Sequence, residues 1–228
     1  MASINIMVVD DQKLVRMGLM RLLGDMPDFT IVAEAECGEQ ALDTVEKMAE
    51  ENFLPDVVLM DLRMPGIGGL EATRKLLRRF SAIKVVAVTA CNDQPFPQRC
   101  LESGATAVVT KDASAEEMVK AIKMAVNGKR YLSQQIAQDM ALKALDVNDG
   151  NNGLSPFESL SERELQIAMM TMAGVKTNHM ASQLALSPKS ISTYRYRMFE
   201  KLNISSNMEL ALLASRHGLL EIHDRSQS

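Results

Sequence analysis

Four short apolar runs, each stopping at an ionisable or hydroxyl side chain, limit what this chain can fold into more than any other feature. Ile6-Met7-Val8-Val9 runs into Asp10-Asp11, and Val57-Val58-Leu59-Met60 into Asp61. Val85-Val86-Ala87-Val88 stops at Thr89, and Val108-Val109-Thr110 at Lys111. Runs this short and Val-rich, alternating with helical patterns, read as strands of a parallel sheet buried on both faces. A further strand fits 30–34. The apolar periodicity predicts helices over 13–24, 38–50, 69–80, 97–103 and 115–127, the last with Ser114 and Glu117 spaced as a capping box. The fold class expected is α/β: a doubly wound (βα)5 domain, followed by something different.

The break falls after residue 127. One helical segment is predicted over 133–145, and Asp146-Val147-Asn148-Asp149-Gly150-Asn151-Asn152-Gly153 then has the composition of a linker. Beyond it every pattern is helical. Ser161 and Glu164 box a helix reaching about residue 173, a short helix covers 177–184, and Ala185-Leu186 makes a turn. Ser187-Pro188 opens the next helix, with Ser as N-cap and Pro at the first position, running to residue 202. A last helix covers 207–217. Two helices joined by so short a turn form a helix-turn-helix in an all-α four-helix domain. The division expected is 1–127, a linker with a helix over 128–154, and 155–228.

In an open α/β sheet, ligands bind beyond the carboxyl ends of the strands. Asp10, Asp11, Asp61, Thr89 and Lys111 should therefore meet in one crevice. Three carboxylates in contact repel unless a cation lies among them, and hard oxygen donors favour Mg²⁺ or Mn²⁺. An aspartate beside such a cation can act as a nucleophile toward phosphorus. Lys111 and the Thr89 hydroxyl would then stabilise the phosphoryl oxygens, and the small Ala90 would leave them room. A single strand-end Asp is often only a helix cap; five such residues in sheet order are not explained that way.

Composition sets the remaining bounds. The net charge of −4 divides into −5 over residues 1–154 and +1 from Ser155 onward, where eight Lys/Arg face seven Asp/Glu. Nucleic-acid binding by the second half must then rest on where its charges sit. Cys37, Cys91 and Cys100 suit neither a disulfide framework nor a zinc site, and no apolar stretch is long enough for a membrane span. A cytoplasmic protein with no membrane partner is expected.

At 100° per residue, Ile191, Tyr194, Met198 and Leu202 form an apolar stripe on the helix from residue 188. The opposite face, free for a major groove, offers Ser192, Thr193 and Tyr196 to bases, with Lys189, Arg195, Arg197 and Lys201 mainly for phosphates. On the last helix Met208, Leu212 and Ser215 fall at i, i+4 and i+7, a candidate dimerisation face.

The order Asp10-Asp11, Asp61, Thr89, Lys111, with Met64-Pro65-Gly66 after Asp61, resembles the receiver domain of bacterial two-component response regulators. The stretch from Leu160-Ser161-Glu162-Arg163-Glu164 to Lys201-Leu202 resembles the LuxR-type helix-turn-helix of the NarL/FixJ family. Pro95-Phe96-Pro97, Arg130-Tyr131-Leu132-Ser133, the run from Thr193 to Leu202 and Glu209-Leu210-Ala211-Leu212-Leu213-Ala214 are similar to the GacA/UvrY/LetA group. The resemblance implies Asp61 as phospho-acceptor, with Asp10, Asp11 and the Arg63 carbonyl completing the metal site. Thr89, Ala90 and Lys111 would bind the phosphoryl group. It also implies a hybrid sensor histidine kinase as donor and a homodimer on promoter DNA with inverted half-sites about one duplex turn apart. Genes for small regulatory RNAs would be the targets. Val108 stands at the switch position, where many receivers carry an aromatic, and Ser192 where the group has a larger polar residue. An aspartyl-nucleophile phosphohydrolase needs an acid two residues after the nucleophile. Arg63 stands there, so a regulator and not an enzyme is expected. The alternative is a receiver-type module whose tail binds protein or RNA.

Overall fold

A computed structural model describes residues 3–89, 96–146, 155–217 and 219 of the chain, which separate into two compact units. In the first, six parallel strands are seen among the described residues: β1 (Ile4–Val9), β2 (Phe29–Ala35), β3 (Val57–Asp61), β4 (Lys84–Thr89), β5 (Ala107–Thr110) and β6 (Tyr131–Leu132), in the order β2-β1-β3-β4-β5-β6. The helices between them are α1 (Lys13–Gly24), α2 (Gly38–Glu50), α3 (Gly68–Arg79), α4 (Phe96–Glu102) and α5 (Ala115–Val126), with α6 (Gln134–Asp146) after β6.

The Val-rich runs are explained by burial on both faces. Ile6, Val8, Leu59, Val86, Val88 and Val109 pack with Leu23 of α1 and Met118, Ile122 and Ala125 of α5. The alternate residues Met7, Val9, Val58, Met60, Ala87 and Val108 point the other way and are equally buried. Register then aligns the strand ends. Val9 pairs with Met60, Asp61 with Val88, and Thr89 with Thr110. The residues that stop the runs therefore emerge side by side at one edge.

Residues 128–146, which the sequence pattern gives only a helix, also contribute a strand. Tyr131 pairs with Ala107 and Leu132 with Val108, and the Ser133 amide donates to the Val108 carbonyl at 3.0 Å. The capping box at α5 is only half made: Ser114 Oγ accepts from the Glu117 amide. The Glu117 carboxylate instead takes the Tyr131 hydroxyl at 3.1 Å and the Gln134 amide at 3.2 Å, tying β6 and α6 to α5.

The second unit holds a 3-10 turn (Pro156–Ser159) and, among its described residues, the helices α7 (Glu162–Met172), α8 (Thr177–Gln183), α9 (Pro188–Leu202) and α10 (Asn207–Arg216). Ser161 and Glu164 make the complete box, and Ser187 caps α9 through the Ser190 amide at 3.0 Å. Ile167, Met180, Ala181, Leu184 and Ile191 form its core, with Tyr194 packed against them. No helix among the described residues is long and apolar enough to cross a membrane.

Candidate functional site

The aligned strand ends bring Asp10, Asp11 and Asp61 together, with one ligand atom of each within 4.8 Å of the others. Asp10 and Asp61 are 1% and 2% exposed, while Asp11 lies open to solvent. Lys111 reaches in from the end of β5. Its ammonium donates to Asp61 Oδ2 at 2.9 Å and lies 2.9 Å from Asp10 Oδ2, off the line of a hydrogen bond. Thr89 is buried at the end of β4, beside them in the register. Gly69 lets the start of α3 close on this edge, because a Cβ there would collide with the Asp61 carbonyl.

The electrostatics follow from that packing. Burial pushes the Asp61 carboxyl up to about 6, against the opposing pull of Lys111 and with a smaller push from Asp10. Asp11 is also raised, by the partial loss of water around its carboxyl and then by Asp10, while Lys111 and Arg16 pull it down. Burial works against the Lys111 ammonium, but its close contacts with Asp10 and Asp61 and the attraction of their charges outweigh that and raise its pKa. One cation against three carboxylates leaves an excess of acceptors. Asp10 Oδ2 is buried without a hydrogen bond, so the donor set fits a hard dication at Asp10, Asp11 and Asp61.

The Arg63 amide donates to Asp61 Oδ1 at 3.3 Å, which fixes the carboxylate's orientation. Val108, which the family resemblance assigns to the switch position, is wholly buried and paired between Ala87 of β4 and Leu132 of β6. Ala90 lies outside the described residues.

On α9 the apolar stripe packs inward: Ile191, Met198 and Leu202 are buried and Tyr194 is half-buried. Lys189, Ser192, Thr193, Tyr196 and Arg197 are exposed. Their helix satisfies several of them: Ser192 Oγ donates to the Pro188 carbonyl and Thr193 Oγ1 to that of Lys189, both at 3.0 Å. The Tyr196 hydroxyl donates to Glu200 at 2.8 Å. Two of the cations assigned to phosphates are engaged within the domain. Lys201 bonds the buried Glu164 carboxylate at 2.6 Å. Arg195 donates to Asn207 Oδ1 at 2.9 Å and lies over the Phe199 ring. Sequence reasoning treated Glu164 only as a cap. Its pairing with a residue 37 positions away leaves no local signal. On α10, Met208 and Leu212 are 75% and 51% exposed and Ser215 is half-buried.

A receiver-like acidic edge joined to a helix-turn-helix unit defines a signal-responsive DNA-binding regulator. The family model for the response regulator receiver domain matches residues 6–123, and that for bacterial regulatory proteins of the luxR family matches 158–214. The chain belongs to the two-component response regulators with a LuxR-type DNA-binding domain. It is 53% identical over 218 residues to the response regulator GacA of Pseudomonas aeruginosa, covering 96% of this chain and 98% of that one. It is 47% identical over 216 residues to the response regulator UvrY of Escherichia coli K12, covering 95% of each. RcsB of Salmonella enterica serovar Typhimurium, solved bound to the promoter P1flhDC in the presence of the phosphomimetic BeF3-, shares the fold with a TM-score of 0.65. That match is 19% identical and covers 94% of this chain and 100% of that one.

Proposed function

We propose that Asp61 accepts a phosphoryl group from the phosphohistidine of a sensor kinase, of the hybrid kind by resemblance, and that the modified protein binds promoter DNA as a dimer. The observation that carries this reading is the in-register meeting of Asp10, Asp11, Asp61, Thr89 and Lys111, with Lys111 held between two carboxylates. An Asp61 oxygen attacks phosphorus, the phosphorus–nitrogen bond breaks, and an acyl phosphate forms. Asp10, Asp11 and Asp61, with the Arg63 carbonyl, would hold Mg²⁺ or Mn²⁺, which when bound neutralises charge on the transferring oxygens. Lys111 exchanges a carboxylate partner for a phosphoryl oxygen, and the Thr89 hydroxyl donates to another; Ala90 leaves space beside it. Val108 keeps the switch position without the polar tip an aromatic such as Tyr supplies.

In the DNA-binding domain, Ser192, Thr193 and Tyr196 meet base edges, and Lys189 and Arg197 meet phosphates. Met208, Leu212 and Ser215 of α10 pair two domains on inverted half-sites. The functional boundaries are 1–127 for the receiver and 155–228 for the DNA-binding domain, with 128–154 between them. The protein acts in the cytoplasm as a regulator, not an enzyme, and the resemblance to GacA and UvrY supports genes for small regulatory RNAs as its targets.

The test is labelling by acetyl phosphate. Wild-type protein should incorporate phosphate in Mg²⁺ and lose the label in Asp61→Asn or in excess EDTA, and the labelled form should bind a palindromic duplex as two copies. Label persisting in Asp61→Asn, or a single copy saturating the palindrome, would reject the assignment.

A further inference from the structure

The turn that carries Asp10 and Asp11 lacks the usual support. It feeds directly into α1, whose N-cap residue Gln12 makes no side-chain capping bond. A buried cation from one turn further along does the holding. Arg16 is 8% exposed, on a helix whose other charged residues face solvent. Its Nη1 donates to the Asp10 carbonyl at 2.7 Å, and its Nε donates to Glu34 Oε2 of β2 at 2.6 Å. Asp10 is tied further: its amide donates to the Ala35 carbonyl at 3.1 Å, and its Oδ1 accepts the Gln12 amide at 2.8 Å.

The Glu34 side chain is 52% exposed, so solvent screens its attraction while the guanidinium bears the cost of burial, and stability alone gives poor reason for the arrangement. A guanidinium is planar, and its donors point in fixed directions. With Nε committed to β2, Nη1 can meet the Asp10 carbonyl in one orientation only. The plane of the turn, and with it the directions of both aspartates, is set by the neighbouring strand.

We propose that Arg16, anchored by Glu34, is a positioning residue that holds the Asp10–Asp11 turn in its cation-binding arrangement. This rests on the reading of the aspartate cluster as a divalent-cation site. Arg16 touches no ligand itself. Its charge is felt at Asp11 as well as at Glu34, so orientation is separated from charge by a substitution that keeps the charge. A lysine at the position keeps the charge but cannot donate in two fixed directions.

The experiment is titration of the full chain with Mn²⁺, reading the free ion by electron paramagnetic resonance, with thermal melts in EDTA to confirm folding. Arg16→Lys should weaken Mn²⁺ binding by about tenfold, the scale set by residues that orient metal ligands. Glu34→Ala should weaken it by less than Arg16→Lys does, with Glu34→Gln restoring it by keeping an acceptor for Nε. Labelling by acetyl phosphate should return to the wild-type rate in Arg16→Lys once the metal is saturating, because only the site's occupancy has changed. Mn²⁺ binding in Arg16→Lys equal to or tighter than wild type overturns the proposal. If Arg16→Lys fails to fold, wild-type affinity in Glu34→Ala overturns it. A wild-type protein that binds no Mn²⁺ removes the cation-site reading itself, a distinguishable result.

Discussion

The strand-end site and the exposed face of α9 handle their polar groups in opposite ways. At the sheet edge, Asp10 and Asp61 are buried within 4.8 Å of each other, with Lys111 as the cation between them, and Asp61 is driven up to about 6. On α9, Ser192, Thr193 and Tyr196 are exposed, and each hydroxyl donates within its own helix. The first site holds electrostatic tension that Lys111 relieves only in part, and that a cation or a transferred group can discharge. The second holds none. A base that meets it must exchange one hydrogen bond for another, so it can supply discrimination while adding little affinity.

The sharpest way to break that contrast is to remove the tension. Asp61 is an acid whose folded pKa, about 6 without metal, lies above its ordinary 3.8. The folded state therefore holds the proton more tightly than the unfolded state. Its favourable contribution is complete below about pH 4 and is lost as pH rises through 6. A shift of that size corresponds to about 3 kcal/mol, so in EDTA Asp61→Asn should exceed wild type in stability by up to about that amount at pH 7.5. Urea unfolding between pH 4 and 8 measures this. The gap should close toward pH 4, and saturating Mg²⁺ should shrink it at pH 7.5 by stabilising wild type selectively. A gap independent of pH would show that the carboxylate is not under strain.

The reading face should respond in discrimination, not in stability. Thr193→Ala and Tyr196→Ala should each reduce the ratio of specific to random duplex affinity on the order of tenfold. Urea midpoints should not move, since neither hydroxyl supports the domain core. Competition binding with matched and scrambled duplexes gives the ratio. Equal losses on both duplexes would place these residues among the phosphate contacts.

How much of this could be read from the chain follows the same division. The acidic site was legible because four strands end in chemistry, and parallel register does the rest: Val9 beside Met60 and Asp61 beside Val88 leave no other arrangement for the strand ends. The stripe of Ile191, Met198 and Leu202 was legible from helical spacing alone. What stayed hidden depends on pairings distant in sequence. β6 is two residues long, too short for any periodicity, and exists because the edge of β5 offers it hydrogen bonds. Arg16 reads as one more charge on an amphipathic helix until Glu34 and the Asp10 carbonyl meet it. Ala90 lies outside the described residues.

Lys201 is the finest test of the contrast, because sequence and structure assign it to opposite sides. Its place on α9 makes it a phosphate contact, whereas its bond to Glu164 makes it a support for the fold. Glu164 is almost wholly buried, and burial opposes its ionisation. Lys201 and the Ser161 amide and hydroxyl outweigh that and lower its pKa. Because the Lys201 side chain is 42% exposed, solvent screens the pair, and Lys201→Ala should cost about 1 kcal/mol of stability. Glu164→Gln combined with Lys201→Ala should cost less than the two changes summed, because the second removes a partner already lost. The slope of duplex affinity against salt should stay as in wild type, since no phosphate contact has gone. A slope shallower by about one, with the urea midpoint unmoved, would return Lys201 to the DNA face.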